Sequence, residues 1–382
     1  MIEAQLLDRV RRRLAADTAE PTPQSVAAAL RAEQRLTDSA TVLSLVDALR
    51  RETLGVGPLE PLLAVDGVTD VLVNGPDAVY LDRGDGLEHT QVRFADDEAV
   101  RRLAQRLAAQ AGRRLDDASP WVDARLPDGT RMHAVLAPLA RPGTLVSLRV
   151  PARRTFTLEQ LVAAGTLTPD AERWLHRLVD ARVAFVVSGG TGSGKTTLLA
   201  ALLSQCDAGE RLVIVEDATE LRPDHPHVVA LEARPANVEG AGLVTLRDLV
   251  RQALRMRPDR LVVGEVRGAE VAELMAALNT GHEGGCGTVH ANSADDVPAR
   301  FEALGVAAGL PRAAVHSQMA AGLEVVVHLH RDRGARRLQQ IGVLRPGPDA
   351  VVRNVAALTF NGGVTEPGPG IGRLCALLDE DS

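Results

Sequence analysis

The sequence predicts an α/β protein, with a mainly parallel, doubly covered sheet in its C-terminal half and a smaller α+β domain before it. Three observations carry that expectation. After Ala181, short β-branched runs ("VAFVV", "LVIVED", "RLVVGE", "GCGTVH", "EVVVHL") alternate with helical stretches such as "LRDLVRQALRM" and "AEVAELMAALNTG". Such alternation builds a parallel sheet, and its strands read apolar throughout because helices cover both faces. Before Pro151, strand-like runs are instead broken by Asn-Gly, Gly-Pro and Asp-Gly turns, as in antiparallel hairpins. Between the two regimes, "VSGGTGSGKTTLL" from Val187 to Leu199 sets a glycine-rich loop between a strand and a helix.

Each element follows in chain order. Residues 1–60 read as a helical lead-in: Ile2, Leu6, Val10 and Leu14 fall at near-helical spacing, and Val26, Leu30, Val42, Leu45, Val46 and Leu49 continue it after "EPTP". Residues 61–150 read as a compact α+β domain. Its strands come from "VTDVLVNGPDAVYLDRGDGLEHTQVRF", its helix from "DEAVRRLAQRLAAQA", and a hairpin turns at Asp128-Gly129 before the strand "GTLVSLRVP". Residues 151–180 carry polar turns and helices and read as a linker, and residues 181–345 form the α/β domain. The tail, 346–382, with "RPGPD" and "NGGVTEPGPG", reads as loosely structured.

Composition narrows the function. The chain has 382 residues, 45% of them hydrophobic, enough for two or three domains with ample core. No apolar stretch reaches the roughly 18–20 residues that span a bilayer, and "MIEAQLLDRVRRRLA" is a charged amphipathic helix without a secretory h-region, so a cytoplasmic protein is expected. Cys206, Cys286 and Cys375 are scattered and include no C-x-x-C pair, so no disulfide or zinc knuckle is expected. A net charge of −7, with two Trp, one Tyr and five Phe, argues against a nucleic-acid partner held by phosphate contacts and base stacking.

The glycine-rich loop fits G-x-x-x-x-G-K-[ST], running from Gly189 through Gly190, Thr191, Gly192, Ser193 and Gly194 to Lys195 and Thr196. Glycines at 189, 190, 192 and 194 are expected to take positive φ and turn N–H groups inward as a nest for phosphate oxygens. Lys195 would sit near the β- and γ-phosphates and Thr196 would offer its hydroxyl to Mg2+. Thr197 begins the helix that packs Leu198, Leu199, Leu202 and Leu203 on the sheet. ATP and Mg2+ are therefore the expected ligands. Two strands deliver carboxylates to the same end of the sheet: "RLVIVEDATEL" brings Glu216 and Asp217, and "RPDRLVVGEVRG" brings Glu265. Either Glu216 or Glu265 could orient metal-bound water or polarise the attacking water. "NTGHEGGCGTVHANSADD" adds His282 and His290, which suit a sensor of the γ-phosphate. Zinc ligation by His282, Cys286 and His290 would need a helix that Gly284, Gly285 and Gly287 disfavour, and a further ligand. Arginines could complete the site with positive charge: Arg125, Arg131 and Arg149 in the first domain, and Arg255, Arg257 and Arg267 flanking the second acidic strand.

In combination these stretches resemble the secretion ATPases of the type II/type IV superfamily, most closely the CpaF/TadA branch that powers Flp-type (tight adherence) pili. "GGTGSGKTTLL" resembles the family's Walker A box, "IVEDATEL" its Asp box, "LRMRPDRLVVGEVRG" its Walker B box and "NTGHEGGCGTVHANS" its His box. "GVGPLEPLL", "VTDVLVNGP" and "VDARLPDGTRMHAVLAPLA" extend the resemblance to about residues 50–330, and the absence of a tetracysteine zinc element favours the CpaF-like branch. The resemblance implies a PAS-like N-terminal domain joined to a RecA-like P-loop NTPase core. It further implies assembly as a homo-hexameric ring on an inner-membrane platform protein, at the inner face of the cytoplasmic membrane. By position, Lys195 and Thr196 match the phosphate lysine and magnesium hydroxyl. Glu265 matches the Walker B glutamate at the metal and the water, Glu216 the Asp-box acid, and His282 and His290 the His box; Arg255 joins this catalytic set. Arg125, Arg131 and Arg149 match arginines that approach nucleotide or the neighbouring subunit. Two rivals follow: a DNA-translocating or conjugal-transfer ATPase, against which the acidic charge counts, and a nucleotide switch without turnover, against which the intact set of Lys195, Thr196, Glu216, Glu265 and His290 counts.

Overall fold

The computed structural model describes residues 9, 10, 13, 22–32, 42, 55–84, 86–151, 155–236, 240–279, 284–332 and 334–379. These divide into two units, Met1–Ala152 and Arg153–Ser382. Of the expected helical lead-in, α1 (Pro23–Ala32) is described; most of the rest of that reading lies outside the described residues.

The first unit is built on six antiparallel strands: β1 (Asp70–Asn74), β2 (Val79–Asp82), β3 (Leu87–His89), β4 (Trp121–Arg125), β5 (Arg131–Val135) and β6 (Leu145–Arg149), in the order β3-β2-β1-β6-β5-β4. A short α2 (Glu60–Leu63) precedes them, and α3 (Asp97–Gln110) covers the sheet. Alternation sets the face: Val71, Val73, Met132, Ala134, Val146 and Leu148 are buried against Val100, Leu103 and Leu107 of α3. Asp96 caps α3, its carboxylate accepting the Ala99 N–H at 2.7 Å. The β4–β5 turn falls at Asp128-Gly129, where Gly129 has φ +90° and the Asp128 carboxylate accepts the Thr130 N–H at 2.9 Å.

The second unit carries nine strands: β7 (Phe185–Gly189), β8 (Leu212–Glu216), β9 (Val228–Glu232), β10 (Arg260–Val266), β11 (Cys286–His290), β12 (Val325–Asp332), β13 (Ala335–Pro346), β14 (Val352–Asn361) and β15 (Val364–Pro367). Their order is β15-β14-β13-β12-β7-β11-β10-β8-β9, parallel from β12 to β9 and antiparallel from β12 to β15. Helices α4 (Leu158–Ala163), α5 (Pro169–Asp180), α6 (Lys195–Leu203) and, at the end of the chain, Ile371–Asp379 bury one face. The helices Leu246–Ala253 (α7), Glu270–Leu278 (α8), Val297–Ala307 (α9) and Arg312–Gly322 (α10) bury the other; Ile371–Asp379 is α11. Within β7, Phe185 and Val187 join the first core and Val186 the second, which is why that strand reads apolar without alternation. Among the described residues no helix is long and apolar enough to cross a membrane.

Two expectations are corrected here. The stretch read as a linker, 151–180, contributes α4 and α5 to the second unit, because Leu158, Leu161, Leu175 and Leu178 bury in the same cluster as the leucines of α6. The tail read as loosely structured forms β14, β15 and α11. Its glycines make a two-residue hairpin loop, Gly362 at φ +54° and Gly363 at φ +92°, and Ala357, Leu358, Phe360, Leu374 and Leu377 extend the core.

Candidate active site

The loop after β7 follows from its glycines. Gly189 takes φ +153°, and a Cβ there would lie 2.5 Å from the Leu329 carbonyl oxygen and 2.6 Å from Ser193 Oγ. Gly192 (φ +69°) and Gly194 (φ +95°) are left-handed, Gly194 as the N-cap of α6. Gly190, expected to join them, is not left-handed: the chain reverses at the other three glycines, and a Cβ on Gly190 would meet nothing within 4 Å. The Lys195 ammonium, 9% exposed, donates to the carbonyls of Gly189 (3.1 Å) and Gly190 (3.0 Å). Burial lowers its pKa, Glu265 opposes that by its charge, and Arg267 adds to it. Ser193 Oγ is buried with no hydrogen-bond partner among the described residues, and Thr196 and Thr197 lie in the first turn of α6. The N-terminus of α6, whose first N–H groups have no partner within the helix, together with a lysine and an unsatisfied hydroxyl, forms a cradle suited to phosphate oxygens.

The two acids differ in kind. Glu216 ends β8, is 4% exposed, and accepts the N–H groups of Glu220 (3.1 Å) and Leu221 (3.0 Å), tying down the loop that follows. It lies across β10 where a side chain is missing, since a Cβ on Gly264 would fall 2.5 Å from Glu216 Cγ. Glu265 sits at an irregularity: Val263 pairs with Gly287 and Val266 with Val289, so Gly264 and Glu265 together oppose Thr288. Such a bulge re-aims a side chain at a strand end. The Glu265 side chain is 27% exposed and accepts from Arg267 at 2.6 Å, which raises the arginine's pKa further. Glu270, buried, organises the next turn by accepting the N–H groups of Arg267 (2.6 Å) and Gly268 (2.7 Å).

Position separates the remaining expectations. His290 ends β11 in register with Gly189, one strand from the loop, whereas His282 lies outside the described residues. Cys286 and His290 are four strand residues apart, about 13 Å, so they cannot share a metal ion. Asp217 is exposed just after β8. Arg255 precedes β10 and Glu265 lies near that strand's far end, so the sheet places Arg255 at the end opposite the loop and away from the acids. Arg125, Arg131 and Arg149 of the first unit form one cross-strand row, Arg125 paired with Arg131 and Arg131 with Arg149, whose Nε donates to Asp70 at 3.2 Å.

Four residues of this region were not anticipated. His328 on β12 is buried and pairs with Ser188 on β7, its Nδ1 2.9 Å from Ser188 Oγ. Arg331 and Arg336, on the β12–β13 hairpin, stand against Gly192. The available signal was the arginine-rich turn "HRDRGARRL" directly after a parallel-type strand.

The profile of the family described as Type II/IV secretion system protein matches residues 52–351. A Mycobacterium tuberculosis protein provisionally named for conjugal transfer is 61% identical over 311 residues, 80% of this chain and 88% of that protein. The type IV secretion system protein VirB11 of Brucella suis is 32% identical over 305 residues, 72% and 84% of the two chains. Among solved structures, the pilus retraction motor PilT with bound ADP aligns at 18% identity and TM-score 0.51, covering 82% of this chain and 83% of that one. This likeness shows the fold: a RecA-like core preceded by a smaller N-terminal domain.

Proposed function

The chain belongs to the type II/IV secretion system protein family, and on that premise we propose that it is the ATP-hydrolysing motor of a secretion system of the Flp-pilus (CpaF/TadA) kind. The observation that carries the reading is the meeting, at one end of a parallel sheet, of the phosphate cradle with the bulged Glu265, whose charge reaches Lys195. Thr196 and Glu265 are the residues that would hold Mg2+, which would supply charge neutralisation on the phosphates. Lys195 exchanges its two carbonyl partners for phosphate oxygens. Glu265 holds and orients the attacking water, and the Arg267 guanidinium donates to its carboxylate and fixes its position. Glu216 acts one step back, fixing the loop after β8.

The row of Arg125, Arg131 and Arg149 supports a ring. Three guanidinium groups in one cross-strand row, Arg149 of them held by Asp70, present positive charge on the first unit that suits the nucleotide of a neighbouring subunit. The reading is therefore a homo-oligomeric ring, hexameric by family resemblance, working on an inner-membrane platform protein from the cytoplasmic side. A second reading, a conjugal-transfer ATPase, is favoured by the name of the 61% identical relative. Steady-state ATP turnover of the purified protein across a concentration series, with and without DNA and with Lys195→Ala as blank, separates them. Turnover that climbs with protein concentration and ignores DNA supports the pilus or secretion ring. Strong stimulation by DNA supports the conjugal reading, and turnover unchanged in Lys195→Ala removes both.

A further inference from the structure

The β12–β13 hairpin brings two arginines to the P-loop that the mechanism above leaves unused. β12 runs parallel to β7 with Leu329 beside Gly189, so the residues that follow overhang the loop. Arg331 lies two residues on, and β13 returns Arg336 directly opposite it. Opposed residues of an antiparallel pair share a face, with Cβ atoms roughly 4.5–5.5 Å apart. The face they share here is the one turned to the loop. Arg336 Nε donates to the Gly192 carbonyl at 3.0 Å, and Arg336 Cδ lies 3.4 Å from where a Cβ on Gly194 would stand. A Cβ on Gly192 would fall 2.7 Å from Arg331 Nη1.

Two guanidinium groups directly opposed are an unfavourable cross-strand pair unless an anion lies between them. Among the described residues neither forms an ion pair, and the bond to Gly192 takes one of the five N–H donors of Arg336. Both side chains are exposed, so burial does not force them together. Sheet order places them on the side of the loop away from Glu265: β12 flanks β7 on one side, and β11 and β10 lie on the other. Resting on the nucleotide-binding reading above, we infer that Arg331 and Arg336 are binding residues for the phosphate chain of the same subunit's nucleoside phosphate. They grip its inner phosphates from the β12 side with the planar forks that suit such oxygens. They hold the part of the chain that ATP and ADP share, whereas Glu265 addresses the terminal phosphate.

The test is ADP titration of the full-length protein by calorimetry, with tripolyphosphate as a second probe, for the native protein, Arg331→Gln, Arg336→Gln, the double variant, Arg336→Lys and Lys195→Ala. Each Gln substitution is expected to weaken ADP and tripolyphosphate about tenfold, as expected for loss of a charge-assisted contact. Arg336→Lys should fall between, because charge is kept and the fork is lost. In turnover assays the loss should fall on KM for ATP more than on kcat. Thermal melts of the exposed-residue variants should match the native protein. A double variant that binds ADP as tightly as the native protein, while Lys195→Ala does not, overturns the arginine assignment and leaves the P-loop reading standing. A loss confined to kcat also overturns it, and native protein that binds neither probe removes the reading on which it rests.

Discussion

Glu216 and Glu265 look alike in the sequence, each an acid at the end of an apolar strand, and their surroundings differ: Glu216 is buried and holds backbone N–H groups, Glu265 is part-exposed at a bulge. Glu265→Gln should leave ADP affinity within about twofold and lower turnover by roughly 10²–10⁴, the usual share of a positioned general base; single-turnover kinetics beside ADP titration measure both. Glu216→Ala should instead cost about 1–3 kcal/mol for the buried Leu221 N–H left without its acceptor, seen in urea unfolding. Equal stability of the two variants would remove the structural role proposed for Glu216. His328 gives a pH signature. Burial lowers its pKa from 6.5, His330 adds to that, and Asp296, the Asn292 backbone and Asp295 oppose it. A histidine depressed in the folded state contributes stability that is complete above the unfolded pKa of about 6.5 and is lost as pH falls through the folded value. The melting temperature of the native protein should therefore drop more between pH 7.5 and 5 than that of His328→Gln, and parallel curves would refute the assignment.

Among the elements, the tail separates composition from packing. "NGGVTEPGPG" has the glycine and proline content of a loop, yet Asn361 closes one strand and Val364 opens the next, a two-residue hairpin with both central residues at positive φ. Leu358, 2% exposed on β14, lies in the core that α6 also enters. Leu358→Ala should cost about 2–5 kcal/mol in urea unfolding, whereas a loosely structured tail would give a change within about 0.5 kcal/mol. The bulge in β10 is the converse case. "LVVGEV" reads as an ordinary strand, and nothing in its periodicity marks the extra residue; the glycine is explained only by the Glu216 side chain that crosses it.

At the scale of the whole molecule, the two units have separate cores, one drawn from Val56 to Leu148 and the others from Leu158 to Leu378. A fragment spanning 153–382 should consequently fold and keep ADP binding, because the cradle, both acids and the hairpin arginines all lie within it. Its turnover should fall by at least tenfold, because the row of Arg125, Arg131 and Arg149 is gone. Full turnover by the fragment would show that the first unit supplies nothing to hydrolysis.

The sequence by itself determined the α/β class, the glycine-rich loop between a strand and a helix, and the two acids at strand ends as candidates, because these are written locally, in strand runs, in glycines at the chain reversals and in a lysine beside a helix start. Only the tertiary structure decided which acid holds a loop and which faces the cradle, that Arg255 lies at the far end of the sheet, and that Arg336 meets Gly192 across 144 residues of chain. Those facts depend on strand order and on a one-residue shift of register. Neither leaves a mark on local periodicity, since any of these strands would read the same beside a different neighbour.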